Sequence, residues 1–256
     1  MTTTVQTPAA KTTTRLPMTS TRKTALVAGV FYLITFVSIP TLAIYGPVRD
    51  HPDWILGSGG HTAVLVGGFL EVMVALAGIG TAVTLYPVVK RQNEGLALGF
   101  VTARVLEGVM IFTGVVSLLS LLTLKQDLGG ADAAALVTVG ASHVAVYNWT
   151  FLLSQSLMPG INAVLLGSLM YRSRLVPRVI PMLGLIGGPL LIIAVFATLF
   201  GQHSSLGGFA GLPVIPVAAW EFSLGLWLTF KGFRDSPITA EVTTASTPLA
   251  YSAVAV

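Results

Sequence analysis

Four ionisable residues stand within long apolar stretches of the sequence: Glu71, Arg104, Glu107 and Glu221. Insertion scales put the cost of a charge at the centre of a bilayer at about 2.5–3.5 kcal/mol. Such residues therefore face the interior of a helical bundle, where carboxyls can relay protons or bind a cation and a guanidinium can pair with them. With Asn162, these four residues form the candidate site, and its ligand would be a small molecule, a proton or an ion.

The charge balance of this set leaves its role open. Arg104 and Glu107 are three residues apart and can pair on one helix face. Three carboxyls and one guanidinium leave a net charge of −2 when all are ionised. Either one or two of the glutamates are protonated, or the interior holds water, or a cation or basic ligand enters it. In the alternative interpretation, Arg104 bridges two glutamates from different helices and only fixes helix packing.

The fourth apolar segment carries an uncharged polar face. Asn148, Gln155 and Asn162 are seven residues apart, which is about two turns of helix, so they share one side. The pair Pro159-Gly160 predicts a kink that turns a backbone carbonyl toward the interior. Asn162 is expected at the depth of the carboxylates.

Small residues recur beside each glutamate at helical spacing, and they mark the faces where membrane helices approach closely. Glu71, Glu107 and Glu221 are therefore predicted to point into the bundle. The stripes are Gly67, Ala75, Gly78 and Ala82; Gly95, Gly99 and Ala103; and Ala218 and Gly225. Gly184 and Gly188 form a further GxxxG pair, which predicts tight packing within the protomer or in a homo-oligomer.

The elements that carry these residues are long and apolar. Of the 256 residues, 54% are hydrophobic and 9% are charged, against about 25% charged residues in soluble domains, so the lipid bilayer must solvate most of the exterior. A spanning helix needs roughly 20 residues. We predict an all-α polytopic membrane bundle of six transmembrane helices, at 24–45, 60–86, 96–122, 148–171, 179–200 and 211–231.

The ends of the chain and one connection differ in composition from the spans. Residues 1–22 and 235–256 are rich in Thr, Ser, Ala and Pro and are predicted to be disordered tails around a transmembrane domain at 23–234. Residues 131–146 contain Asp132 and His143 and are predicted to form a short helix at the outer surface, between helices 3 and 4.

Lys and Arg orient the bundle, because they collect on cytoplasmic loops. With both termini cytoplasmic, eleven of the 14 basic residues lie inside, Arg49 and Lys125 lie outside, and Arg104 falls in a span. Aromatic residues are expected at the interfaces, with Tyr45, Trp54, Tyr147 and Trp149 at the outer one. The predicted location is the plasma membrane, as a multi-pass protein.

The sequence lacks the residues that several kinds of chemistry require. The chain has no Cys, which excludes disulfides, thiolate nucleophiles and Cys-based metal centres. Its four histidines lie outside the spans or at their outer edge without HxxxH or HExxH spacing, so no metal site and no cofactor are predicted. The excess of basic residues follows from topology and predicts no nucleic-acid partner.

Several stretches resemble a family of bacterial membrane proteins, the domain of unknown function 4386, over residues 22–234. They are RKTA at 22–25, NEGLALG at 93–99 with Arg104 and Glu107, YNW at 147–149, YRSRLVPR at 171–178, LGLIGGP at 183–189, WE at 220–221 and KGF at 231–233. The resemblance implies about six spans in a bacterial cell membrane and supplies no activity.

Two classes of function remain open. The first is a small transporter or ligand-binding membrane protein with a polar site in mid-membrane. The second is a non-catalytic structural or regulatory membrane protein, in which the same residues only fix helix register. The chain contains no phosphate-binding Gly loop and no intramembrane protease motif, so an enzymatic activity is not predicted.

Overall fold

The structure, a computed structural model, describes residues 19–127, 132–201 and 212–239. Its regular elements are helical throughout the described residues. In chain order they are α1 (Ser20–Ile34), a 3₁₀ turn (Thr35–Ser38), α2 (Thr41–Ile44), α3 (Gly46–Asp50), a second 3₁₀ turn (Pro52–Leu56), α4 (His61–Val89), α5 (Glu94–Asp127), α6 (Ala133–Leu152), a π turn (Leu153–Leu157), α7 (Met158–Ser173), α8 (Val179–Leu199) and α9 (Val214–Phe230).

The long helices pack into a closed ring. Helix α4 packs on α1 and α5, α5 packs on α6 and α7, α7 packs on α8, α8 packs on α9, and α9 returns to α1. Each long helix therefore meets its neighbours in the chain, and the first meets the last. The ring encloses the polar residues described below, while large apolar side chains such as Phe69 and Ile193 are 64% and 65% exposed on its outside.

Five helical segments are long and apolar enough to cross a membrane: 20–44, 61–89, 94–126, 133–173 and 179–199. Together with the apolar exterior, they identify a multi-pass membrane protein in a lipid environment. Helix α9 is apolar too, but it has 17 residues, which is a length of about 25 Å and the lower limit for a span. The predicted count of six spans depends on α9.

The first predicted span, 24–45, is interrupted. Helix α1 gives way to 3₁₀ geometry at Thr35, and Pro40 stands before the four-residue helix α2. Proline lacks the N–H that would continue the helix. The chain then turns through α3 and the second 3₁₀ turn, so that residues 46–56 lie across the end of the bundle beside α6 and α5.

The separate surface helix predicted at 131–146 is wrong as an independent element. Helix α6 begins at Ala133, with the Asp132 carboxylate accepting from the Ala135 N–H, and runs without a break through residue 147 to Leu152. Ala, Val and Leu dominate this stretch and no proline interrupts it, so nothing ends the helix before the fourth predicted span. The two segments are one continuous helical element.

The start of α1 and the end of α9 lie together. Arg22 Nη1 donates to the Leu228 carbonyl at 2.9 Å and Nη2 donates to the Thr229 carbonyl at 2.6 Å. A helix leaves its last four carbonyls without intrahelical partners, and a cation there is favourable. The two ends of the transmembrane domain are thus held at the same end of the bundle.

The predicted tails fall mostly outside the described residues, at 1–18 and 240–256. Residues 235–239 of the second predicted tail lie against the bundle. The Ser236 hydroxyl donates to the Ser173 carbonyl at 2.6 Å, and Arg91 Nη1 donates to the Ile238 carbonyl at 3.2 Å.

Candidate functional site

The centre of the bundle holds one guanidinium between two carboxyls. Arg104 Nη1 lies 3.1 Å from both carboxylate oxygens of Glu107 on the same helix, α5. Arg104 Nη2 donates to Glu221 Oε1 on α9. Asn162 Nδ2 on α7 donates to Glu107 Oε2 at 2.6 Å. Arg104, Glu107, Glu221 and Asn162 form what we call the Arg104 cluster, and the sequence predicted all four residues.

The Arg104 cluster is buried. Arg104 is 2% exposed and Glu107 is 6% exposed, while the Glu221 side chain is 14% exposed. Aromatic rings close the site around the guanidinium, whose Cζ lies 5.4 Å from the centroid of Tyr32 and 5.9 Å from that of Phe100. Taking two charges out of water costs several kcal/mol per ion, which only close pairing offsets.

The Arg104 cluster is not neutral when its acids are ionised. One guanidinium and two carboxylates sum to −1, and the carboxyls are held on different helices. Two of its buried polar atoms, Arg104 Nε and Asn162 Oδ1, have no hydrogen-bond partner among the described residues. An unpartnered buried polar atom costs about 1–3 kcal/mol.

Glu71 forms a second site, which the sequence had grouped with the first. Its Oε1 accepts from the Tyr147 hydroxyl at 2.8 Å and from Gln155 Nε2 at 3.1 Å, and the residue is 1% exposed. No hydrogen bond or ion pair of the described residues joins it to the Arg104 cluster. The reason is its position on α4: Gly78, beside Arg104, lies seven residues away, which is about 10 Å along the helix.

The predicted amide face is confirmed, and each amide contacts a different partner. Asn148 Oδ1 accepts from Arg49 Nε at 2.9 Å, Gln155 donates to Glu71, and Asn162 donates to Glu107. These contacts follow one another at steps of about two helical turns. They make a line of polar groups that begins at residues 46–56 and ends at the Arg104 cluster.

A π turn at Leu153–Leu157, where the Met158 N–H bonds to the Leu153 carbonyl, lies just before Pro159, the position of the predicted kink. Pro159 has no N–H to offer to the carbonyl of Gln155, and a wider turn is one response of a helix to that loss. Single π turns are frequent at functional sites. Here the turn contains Gln155, the residue that binds Glu71.

The small-residue stripe of the second span is confirmed, because Gly67, Glu71, Ala75, Gly78 and Ala82 are all buried. In the third span the stripe holds from Ala103 to Glu107, whereas Gly95 is exposed at the start of α5. The GxxxG pair packs within the protomer: a Cβ at Gly184 would lie 2.9 Å from the Trp220 ring.

Two tyrosines of the site face the protein interior rather than the lipid. Tyr45 and Tyr147 were predicted at the outer membrane interface, but they are 1% and 2% exposed and pack edge to face at 5.3 Å. Their position near the ends of apolar runs is typical of interfacial residues. The inward direction of Tyr147 could have been inferred from the helical face that it borders, next to Asn148.

Among the residues that the structure describes, no three His, Asp or Glu side chains lie close enough to hold a metal ion. His143 Nδ1 lies 3.2 Å from the Ser117 hydroxyl, which ties α6 to α5. His203 lies outside the described residues.

Comparison with known protein families gives one match. The sequence profile of one protein family, described as a domain of unknown function (DUF4386), matches residues 27–232. No match was found among the curated proteins or the solved structures. The matched region contains every residue of both polar sites.

Proposed function

The chain belongs to the DUF4386 family, and we propose that it is a six-span membrane protein in which the Arg104 cluster binds a proton or a small cation. Both termini are cytoplasmic in this proposal, and the protein resides in the plasma membrane of a bacterium. The site would serve a small transporter or a ligand-binding membrane protein. Glu71 would act as a second carboxyl, nearer the outer surface.

The observation that carries this proposal is the excess of acid over base in a buried site. Arg104 contacts Glu107 and Glu221 together, so a charge of −1 is left when both carboxyls are ionised. A proton on one carboxyl or a bound cation restores neutrality. Asn162 Oδ1 is buried and receives no hydrogen bond from the part of the chain that the structure describes, and it is an acceptor that a water molecule or a protonated ligand could use.

The line of amides supports a route to this site from outside. Asn148, Gln155 and Asn162 contact Arg49, Glu71 and Glu107 in turn. The steps of about 10 Å between them exceed hydrogen-bond distance, so protons would need intervening water to move from one to the next. The π turn lies on this route and offers a helix segment that can change its hydrogen bonding.

A second candidate function, a structural or regulatory scaffold, is favoured by one feature of the same site. Arg104 bonds to carboxyls on its own helix and on α9, and Asn162 adds α7. Three helices are therefore fixed in register by one network, as a purely structural role requires.

Single Glu→Gln substitutions distinguish the two functions. The variants are Glu71→Gln, Glu107→Gln and Glu221→Gln, and the matched control is Glu94→Gln at the exposed start of α5. Thermal stability is measured in lipid nanodiscs, and the protonation of the carboxyls is followed by infrared difference spectroscopy across a pH titration. A scaffold loses stability in every site variant, because each removes hydrogen bonds.

A proton or cation site gives a different result. At least one site variant is then as stable as the parent or more so, since the amide removes the uncompensated charge. The infrared spectrum also contains a carboxyl band that changes with pH or added cation and is missing in that variant. The proposal is wrong if all three variants are destabilised and no carboxyl band responds.

A further inference from the structure

A cleft opens at the end of the bundle that carries residues 46–56. It has a volume of about 160 Å³ and lies between this segment, α5 and α6. Its apolar walls come from Val48, Ile55, Leu121 and Val144. Arg49 and His51 are the basic residues that line it, and Asn148 lies beside Arg49.

Arg49 is half-buried and its guanidinium is oriented by the protein. Its Nε donates to Asn148 Oδ1 at 2.9 Å, and its Cζ lies 5.6 Å and 5.5 Å from the ring centroids of Tyr147 and Phe151. These contacts hold the plane of the side chain and leave the Nη atoms unbonded by any described residue. A guanidinium fork of this kind fits a carboxylate with two parallel hydrogen bonds.

Arg49 forms no ion pair with a described carboxylate. Within the described residues, ion pairs closer than 4 Å involve only Arg104. Asp50 and Asp53, on the same segment, are exposed and do not pair with Arg49. The Arg49 guanidinium in a largely apolar cleft thus has no described carboxylate within 4 Å, and an anionic ligand with an apolar body complements both properties.

We propose that this cleft binds a small apolar monocarboxylate, with the carboxylate on the Arg49 guanidinium and the apolar body against Val48, Ile55, Leu121 and Val144. Size sets the class of ligand. A cavity of about 150 Å³ in a protein interior accepts benzene, so the cleft has room for an acid of the size of benzoate. This site is separate from the Arg104 cluster and lies at the outer end of the line of amides that leads to it.

Calorimetric titration of the full chain in nanodiscs of neutral lipid tests the proposal with three probes of one shape: benzoate, benzamide and benzylamine. Benzoate is expected to bind saturably at one site, about tenfold or more tighter than benzamide, because hydrogen bonds to a charged group are the stronger ones. Benzylamine is expected not to bind, since its charge repels Arg49. Equal affinity for benzoate and benzamide would overturn the proposal.

Variants locate the site. Arg49→Gln is expected to lower benzoate affinity about tenfold or more, to that of benzamide. Arg178→Gln makes the same change at an exposed residue of the opposite end and should leave the affinity unchanged. Val144→Phe fills the cleft without touching the charge and should abolish binding, which decides the matter if Arg49→Gln does not fold. Unchanged binding in Val144→Phe, or equal losses in both arginine variants, would place benzoate elsewhere.

Discussion

At the scale of single residues, the partner decides what a buried carboxyl can do. Glu107 and Glu221 share one guanidinium, whereas Glu71 is bonded by a phenol and an amide. An arginine neutralises the charge of a carboxylate, whereas a phenol only donates a hydrogen bond to it. The three glutamates of the sequence are therefore two different sites, and among the described residues a guanidinium pairs directly with a carboxyl only in the Arg104 cluster.

The two buried tyrosines beside Glu71 provide a matched pair of substitutions. Tyr147→Phe removes the hydrogen bond to Glu71 and should lower the free energy of unfolding by about 1–3 kcal/mol. Tyr45→Phe should have little effect or stabilise, because the Tyr45 hydroxyl is buried without a partner among the described residues. Thermal or denaturant unfolding in one detergent measures both. Equal losses in the two variants would contradict this assignment of the hydrogen bonds.

At the scale of elements, the backbones of α8 and α7 approach each other closely. A Cβ added to Gly188 would lie 2.7 Å from the Gly160 carbonyl, and one added to Gly160 would lie 3.0 Å from the Gly188 carbonyl. A backbone atom cannot move aside as the tip of a side chain can. This contact fixes the distance between α7, which carries Asn162, and its neighbour.

Gly188→Ala should therefore destabilise the bundle by about 1–3 kcal/mol, as overpacked cores are destabilised. The control is Gly99→Ala in α5, where an added Cβ would meet only Leu165 side-chain atoms at 3.7–3.8 Å. That variant should be neutral or stabilising, because Ala favours a helix over Gly by about 1 kcal/mol. Loss of the folded fraction on heating is measured for both. A stable Gly188→Ala protein would show that α7 and α8 are farther apart than described.

At the scale of the whole molecule, closure of the ring determines where the chain ends lie. Arg22 binds the last carbonyls of α9, so the start of α1 and the end of α9 share one end of the bundle. Lys125 lies at the other end, where its ammonium donates to the Trp54 and Gly59 carbonyls. This arrangement supports the even number of spans in the proposed topology.

Single-cysteine labelling tests this arrangement without background, because the chain has no Cys. Lys23→Cys and Lys231→Cys should react with an impermeant maleimide only after cells are permeabilised. Ser58→Cys, in the exposed connection before α4, should react in intact cells. Labelling of Lys23→Cys and Lys231→Cys from opposite sides would mean an odd number of spans and would contradict the proposed topology.

The sequence alone predicted the membrane class, and it identified the main apolar segments and the buried polar residues Glu71, Arg104, Glu107 and Asn162. Long apolar runs are costly to expose to water, and charged or polar side chains are costly to expose to lipid. The sequence therefore predicts an apolar exterior and an inward direction for Glu107, Arg104 and Asn162. The pairing of Arg104 with Glu107 follows from local helical spacing. These inferences need only the period of a helix and the solvent that it faces.

Tertiary structure alone decided which groups meet across helices. Arg104 meets Glu221, and Tyr147 meets Glu71, because of the axial position of each helix in the ring. The apolar runs of the sequence do not specify that position to within one turn. The uninterrupted α6 and the π turn likewise result from packing and local hydrogen bonding. The four ionisable residues that the sequence offered as one site are divided in two because α4 places Glu71 about 10 Å along its axis from Gly78, beside Arg104.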